Sequence, residues 1–379
     1  MVINSPDRYP RRVLLAVSGM SPQILTETLW ALTQRQTPAF FPTEIHLITT
    51  RAGALNAERN LLDPVHGHYH AMCRDYGLTP EAFHADHVHL IVDADGEALA
   101  DIRTPEENEA AADFITNMIR GFTADARCAL HVSIAGGRKT MGYYAGYALS
   151  LFGRAQDRLS HVLVNAPFEG LRDFYYPAPQ RRLIQTERHG VIDAATAEVT
   201  VAEIPFVRLR DDVPQRLLDG RAGFSETIQN AQHLHEEPWL RIDLRDRELV
   251  AHGQSIALPP SEFAFYAWMV SRQLVDSGQQ EGVSVLELAG PSRQYADEFL
   301  ALFMRIEGQM GRDLDRTEQA LNGGMDRPFF DQKKSRVRKA LIDALGMTVA
   351  ERYAITGFGK RGKTTYAIPI EAESIEWLD

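Results

Sequence analysis

The chain has 379 residues, 44% of them hydrophobic and 24% charged, and a formal net charge of −11. That length suits two domains, the composition is that of a globular protein, and the acidic balance excludes a protein that coats nucleic acid through its overall field. Two cysteines, Cys73 and Cys128, make neither a disulfide framework nor a metal-ligand array. No apolar run approaches the roughly 20 residues that span a bilayer, and residues 1–12 lack the apolar core of a signal peptide. The expected location is the cytoplasm, with no membrane partner.

In chain order, residues 13–17 read as a buried strand. Residues 21–33 follow as a helix, with Ser21 as N-cap and Pro22 at the first helical position. A strand is expected over 44–49, a helix over 54–76 and a strand over 88–92. Thr104 opens the next helix, with Pro105 at its first position and Glu107 placed for a capping box. It runs to about Gly121. A strand over 128–135, a helix over 139–152 and a strand over 161–164 complete the series. This alternation marks an α/β fold, a Rossmann-like and mostly parallel sheet with helices on both faces. Residues from 168 to 201 fit a hairpin or edge strands.

The expected division is a Rossmann-like domain over 1–205, a helical connector over 206–238, and a smaller α+β domain over 239–379. The last opens with hairpin strands at 240–244 and 248–251 and a short strand at 255–258. Helices over 260–274, 296–308 and 326–345 follow, and a wing-like hairpin whose turn spans 357–363 closes it.

Two strand-to-helix turns carry the chemistry. In Ser18-Gly19-Met20-Ser21-Pro22-Gln23, Gly19 permits a close backbone approach, and the free N–H groups of the helix start suit an anion. In Ser133-Ile134-Ala135-Gly136-Gly137-Arg138-Lys139-Thr140, two glycines let backbone amides face a phosphate. Arg138 and Lys139 then stand at a helix N-terminus, where the dipole disfavours cations, a placement that makes sense if an anion sits between them. The segment lacks P-loop spacing. Open α/β sheets bind ligands beyond the carboxyl ends of their strands, so both turns are at the right end.

The pairing of S-G-x-S-P-Q with G-G-R-K-T-M resembles the CRISPR-associated Rossmann fold (CARF) family, and Asp101 to Asn108 is similar to a segment in one of its branches. The likeness covers residues 10–205. It implies a homodimer that binds a cyclic oligoadenylate, with cyclic tetra-adenylate expected, across its two-fold axis. It also implies that some members, ring nucleases, open the ring without metal or cofactor by attack of a ribose 2′-hydroxyl on its own phosphate. On that reading Lys139 and Ser18 are the candidate catalytic residues. Lys139 neutralises the pentavalent phosphate or protonates the leaving 5′-oxygen. Ligand contacts are expected from Gly19, Met20, Ser21 and Gln23 in the first turn. Ser133, Gly136, Gly137, Arg138 and Thr140 are the candidates in the second. Arg103 is a candidate for adenine or ribose, with a surface ion pair to Glu106 or Glu107 as the alternative.

Residues 239–379 resemble a winged helix of the response-regulator type, with a long insertion at 275–311. Lys333, Lys334, Arg336, Arg338 and Lys339 lie on a predicted helix, and Lys360, Arg361 and Lys363 crowd the predicted turn. A basic helix with a basic wing suits phosphate contacts on DNA, although Asp331, Asp343 and an acidic tail over 371–379 dilute the field. Two functions compete: a ring nuclease with the second domain as scaffold, and a non-enzymatic DNA-binding regulator that senses the messenger. A third, an effector ribonuclease, rests on one R-x-x-x-x-H match, Arg247 to His252, which falls in a predicted hairpin. The clusters His66, His68, His70 and His84, His87, His89 alternate without the partners of a recognised metal array, so no metal is expected.

Overall fold

A computed structural model of the chain describes residues 5–220, 237–274, 282–307, 312–359 and 364–379. It divides into two compact units, Met1–Arg210 and Asp211–Asp379. Among the described residues no helix is long and apolar enough to cross a membrane.

The first unit is built on a six-stranded sheet. Its strands are β1 (Arg11–Val17), β2 (Glu44–Thr49), β3 (Val88–Leu90), β4 (Cys128–Ser133), β5 (Arg158–Val164) and β8 (Val199–Glu203), in the order β3-β2-β1-β4-β5-β8. The first five are parallel and β8 closes one edge antiparallel to β5. Between them, β6 (Leu183–Thr186) and β7 (Gly190–Asp193) form a separate hairpin. A strand buried on both faces must be apolar throughout, and residues 13–17 of β1 are fully buried. The expected Rossmann-like α/β architecture is what the sheet shows.

The helices of this unit follow local rules. Helix α1 (Gln23–Trp30) continues into a wider π-helical turn, Ala31–Arg35. It starts two residues later than Ser21, because the Ser18 hydroxyl donates to the Ser21 carbonyl at 3.0 Å and closes the turn before the helix begins. The single helix expected over 54–76 is two. Helix α2 (Arg51–Ala57) with the turn Glu58–Leu62 is separated from α3 (His68–Tyr76). The Asp63 carboxylate accepts the N–H groups of Val65 and His66, at 2.9 and 2.7 Å, and so stabilises a turn in place of helix. Helix α4 (Pro105–Ala124) has the expected capping box between Thr104 and Glu107. Helix α5 (Lys139–Phe152) has the expected bounds.

In the second unit, β9 (Leu240–Asp243), β10 (Glu248–Ala251) and β11 (Gln254–Ser255) form an antiparallel meander. The C-terminal residues, expected as an acidic tail, add a strand. With β12 (Val283–Ser284), β13 (Thr356–Phe358) and β14 (Thr365–Ala367) counted in order, it is β15 (Ile375–Leu378), parallel to β9. Strands β12, β14 and β13 make a second small sheet. Helix Pro260–Ser271 is buried almost all round, as a central core helix must be. Its Phe265 and Trp268 pack on Phe299 of helix Arg293–Glu307, and Phe265 also packs on Phe330 of helix Arg327–Leu345. Tyr295, Phe299 and Phe303 are thus core, so the described part of the 275–311 insertion is integral to this unit. Residues 221–236 of the expected connector, and Lys360, Arg361 and Lys363 of the expected wing, lie outside the described residues.

Candidate functional site

The strand order reverses between β1 and β4: β2 and β3 lie to one side, β5 and β8 to the other. A parallel sheet opens a crevice at such a switch point, beyond the carboxyl ends of its strands. The two glycine turns leave the sheet there. Ala16 pairs with Ser133, so the two strands end in step. A Cβ on Gly19 would stand 3.3 Å from the Gly137 α-carbon, which places the two turns in backbone contact. Gly137 has φ +83, a conformation that L side chains rarely adopt.

A third segment joins them. A Cβ on Gly53, in the first turn of α2, would lie 2.6 Å from the Gly19 carbonyl oxygen. Asn56 Nδ2 donates to the Met20 carbonyl at 2.6 Å. Neither Gly53 nor Asn56 was marked by the sequence, because a glycine or asparagine inside a helical pattern carries no sign of what it packs against.

The predicted residues separate into those that face solvent and those that do not. Met20, Ser21, Gly137, Arg138, Lys139 and Thr140 are exposed. Ser133 is not: it is fully buried, its hydroxyl 3.2 Å from that of Thr28, and it ties β4 to α1. Ser18 is also buried, and its hydroxyl proton is committed to Ser21. In this conformation Ser18 shapes the turn, and a catalytic contact would require the turn to open. The Gln23 amide nitrogen donates to the Arg172 carbonyl at 3.0 Å, while its buried Oε1 has no partner. Gln23 therefore braces α1 against the 165–182 segment.

Arg138 pairs with Asp101, through Nε at 3.2 Å and through Nη2. Arg103 Nε reaches the same carboxylate at 3.1 Å. The anticipated partner of Arg103, Glu106 or Glu107, is thus replaced by Asp101. Glu107 instead accepts the backbone N–H groups of Arg103 and Thr104, at 2.6 and 2.9 Å. Hydrogen bonding to Arg138, above all, holds the Asp101 carboxyl below its ordinary range. Lys139, the first residue of α5, has no ion-pair partner among the described residues. A groove of about 570 Å³ runs from Gly136, Gly137, Arg138 and Lys139 along α5, past Tyr143 and Tyr147, to Pro205 and Phe206. The groove's lining brings the glycine backbone, two cations and two tyrosines together.

One helical turn beyond Gln23, Glu27 is 7% exposed. Burial, with Glu169 nearby, raises its carboxyl to about 7 from 4.5. A raised carboxyl contributes its stability below the unfolded value and loses it as pH climbs through the folded one. Ionising Glu27 therefore costs stability between about pH 4.5 and 7. The stability difference between Glu27→Gln and the unmodified chain should shift by about 3 kcal/mol in favour of glutamine from pH 4.5 to pH 8. Urea denaturation across that range measures it, and a pH-independent difference would show that Glu27 is solvated.

Several of the other candidates, and the neighbouring His46, have partners within the fold. His46, on β2, lies with Nδ1 2.8 Å from His89 Nε2 and its ring 4.2 Å from that of His87. Burial lowers His46 to about 4. His68 stacks on Tyr175. Among the described residues, no three His, Cys, Asp or Glu side chains are grouped to hold a metal ion. Arg247 pairs with Glu307 at 2.7 Å, and His252 is buried with Nδ1 3.2 Å from the Tyr353 hydroxyl. Arg247 and His252 sit at hairpin turns and share no helical face. On helix Arg327–Leu345, Lys333 is buried against Glu262, a correction to its expected exposure. Arg336 pairs with Glu262, Lys334 with Asp331 and Arg338 with Glu351.

Comparison with curated proteins finds no match for this chain. A family model does match it, over residues 21–238, more than half of its length and including α1, the second glycine turn and Asp101. The chain therefore belongs to the CRISPR-associated protein NE0113 family.

Proposed function

We propose that this protein binds a cyclic oligoadenylate, with cyclic tetra-adenylate the expected ring, at the β1–β4 crevice of a homodimer and opens it, switching off type III CRISPR signalling. The observation that carries the reading is the contact between two glycine turns at the switch point, with Arg138 and Lys139 at the following helix start. Exposed backbone N–H groups at that position receive phosphate, and the faces of Tyr143 and Tyr147 along the groove suit stacked bases.

The reaction asks little of the protein beyond geometry and charge. The ribose 2′-oxygen forms a bond to the adjacent phosphorus and loses its proton, while the P–O5′ bond breaks and the 5′-oxygen gains one. The product ends in a 2′,3′-cyclic phosphate. Gly136 and Gly137 offer N–H groups to the non-bridging oxygens, and Lys139 supplies charge or a proton at the leaving oxygen.

Incubating the protein in EDTA with cyclic tri-, tetra- or hexa-adenylate, followed by mass spectrometry, tests the reading. Linear products from the tetra-adenylate are expected. Intact rings after many hours at high protein concentration would refute cleavage. The regulator reading draws less support, since Lys333, Lys334, Arg336 and Arg338 each have an acidic partner.

A further inference from the structure

We propose that Asp101 is a positioning residue for the anion site: a carboxylate that improves binding of a negatively charged ligand by fixing two arginines at its mouth. The inference rests on the anion-site reading above and extends it to a residue whose charge points the wrong way. Asp101 takes Nε and Nη2 of Arg138 side-on and Nε of Arg103, so Nη1 of Arg138 and both terminal nitrogens of Arg103 remain outside these bonds. Its own orientation is set by the Ile102 N–H, which donates to Oδ1 at 2.8 Å.

The bond crosses from one element to another. Arg138 immediately precedes α5, whereas Asp101 and Arg103 lie in the segment that leads to α4. That segment is held at one end by the Leu99 carbonyl, which accepts the Arg51 N–H at 2.8 Å, and at the other by the Thr104–Glu107 capping box. Arg138 and Arg103 are largely exposed, at 54% and 77% of their side chains. An exposed arginine otherwise samples many rotamers, and ordering it on ligand binding costs entropy. Asp101 removes that cost in advance for both.

The sign of the effect separates this proposal from simple electrostatics. A carboxylate beside a phosphate site repels the ligand, so if Asp101 did nothing else, Asp101→Asn and Asp101→Ala would tighten binding. Positioning predicts the opposite: ~10-fold weaker binding of cyclic tetra-adenylate in Asp101→Ala, from the lost charge-assisted hydrogen bonds, and a smaller loss in Asp101→Asn. Isothermal titration at fixed salt measures both, with melting curves as a check that the fold is intact. Equal or tighter binding in Asp101→Ala overturns the proposal. A second readout needs no ligand: hydrogen exchange at the Arg138 and Arg103 Nε–H groups, followed by NMR, should be slow in the unmodified protein and fast in Asp101→Ala. If the unmodified protein binds no ring, the anion-site reading fails by itself, and unprotected Nε–H groups in that protein would overturn the tether as well.

Discussion

Replacing Lys139 with alanine is expected to slow ring opening by ~10²–10³, the usual penalty for removing one group that stabilises developing charge. Lys139 is exposed and has no ion-pair partner among the described residues, so its removal should leave the melting temperature unchanged. Its ammonium stands at the N-terminus of α5, where the helix dipole gives it no favourable partner. A phosphate in the crevice supplies one. Affinity for the ring should fall less than rate, since Arg138 and the glycine amides continue to hold the ground state. Lys139→Arg separates the two chemical roles. Arginine keeps the charge but does not release a proton near neutrality, so a counter-charge role leaves most of the activity and a proton-donor role leaves as little as alanine does. Single-turnover rates measure all three proteins, and an alanine variant as fast as the unmodified one would remove Lys139 from the mechanism.

The second large effect belongs to the other unit. Glu262→Ala should destabilise it by about 3–5 kcal/mol, the range for breaking a buried ion pair from one side. Glu262 is 4% exposed in its side chain and Lys333 7%, with the carboxylate 3.0 Å from the ammonium and 2.9 Å from Arg336. Alanine would strand the buried Lys333 charge without a counter-charge from helix Pro260–Ser271, leaving the Ser261 hydroxyl and the Phe329 ring beside it. Burial by itself would raise the Glu262 carboxyl, but Arg336 and Lys333 together hold it below its ordinary value. Its contribution is therefore present above pH 4.5 and lost as pH falls through the lower folded value. Urea denaturation followed by tryptophan fluorescence reports on this core through Trp268. Pairing Glu262→Leu with Lys333→Met should recover most of the loss, because an apolar pair of similar volume needs no compensation. A loss below about 1 kcal/mol for Glu262→Ala would mean that water reaches the pair.

What the sequence revealed here, and what it hid, follow from range. The capping box at Thr104 and the bounds of α5 were legible because every group involved lies within a few residues of the helix start. The break between α2 and α3 was also local, an Asp63-Pro64 turn inside a helical pattern, and the apolar periodicity on either side masked it. The two glycine turns were legible as separate motifs. Their contact was not, since Gly19 and Gly137 meet only once β1 and β4 pair. Asp101 lies 37 residues from Arg138, and nothing in its neighbourhood announces that partner. The buried roles of Ser133 and Lys333 were missed for the same reason: a polar residue expected at a surface turned inward to a partner on another element, Thr28 in one case and Glu262 in the other.

The contact between Gly19 and Gly137 also fixes a dimension. Neither glycine has a side chain, so the gap between the two turns is set by main chain against main chain. That main chain is hung from two adjacent strands, whose separation of about 4.8 Å is a constant of β-sheet geometry. The width of the proposed phosphate seat is therefore inherited from the pitch of the sheet, a quantity that surface substitutions cannot tune. Side chains around the rim are free to change, while the gap between the two turns stays the same.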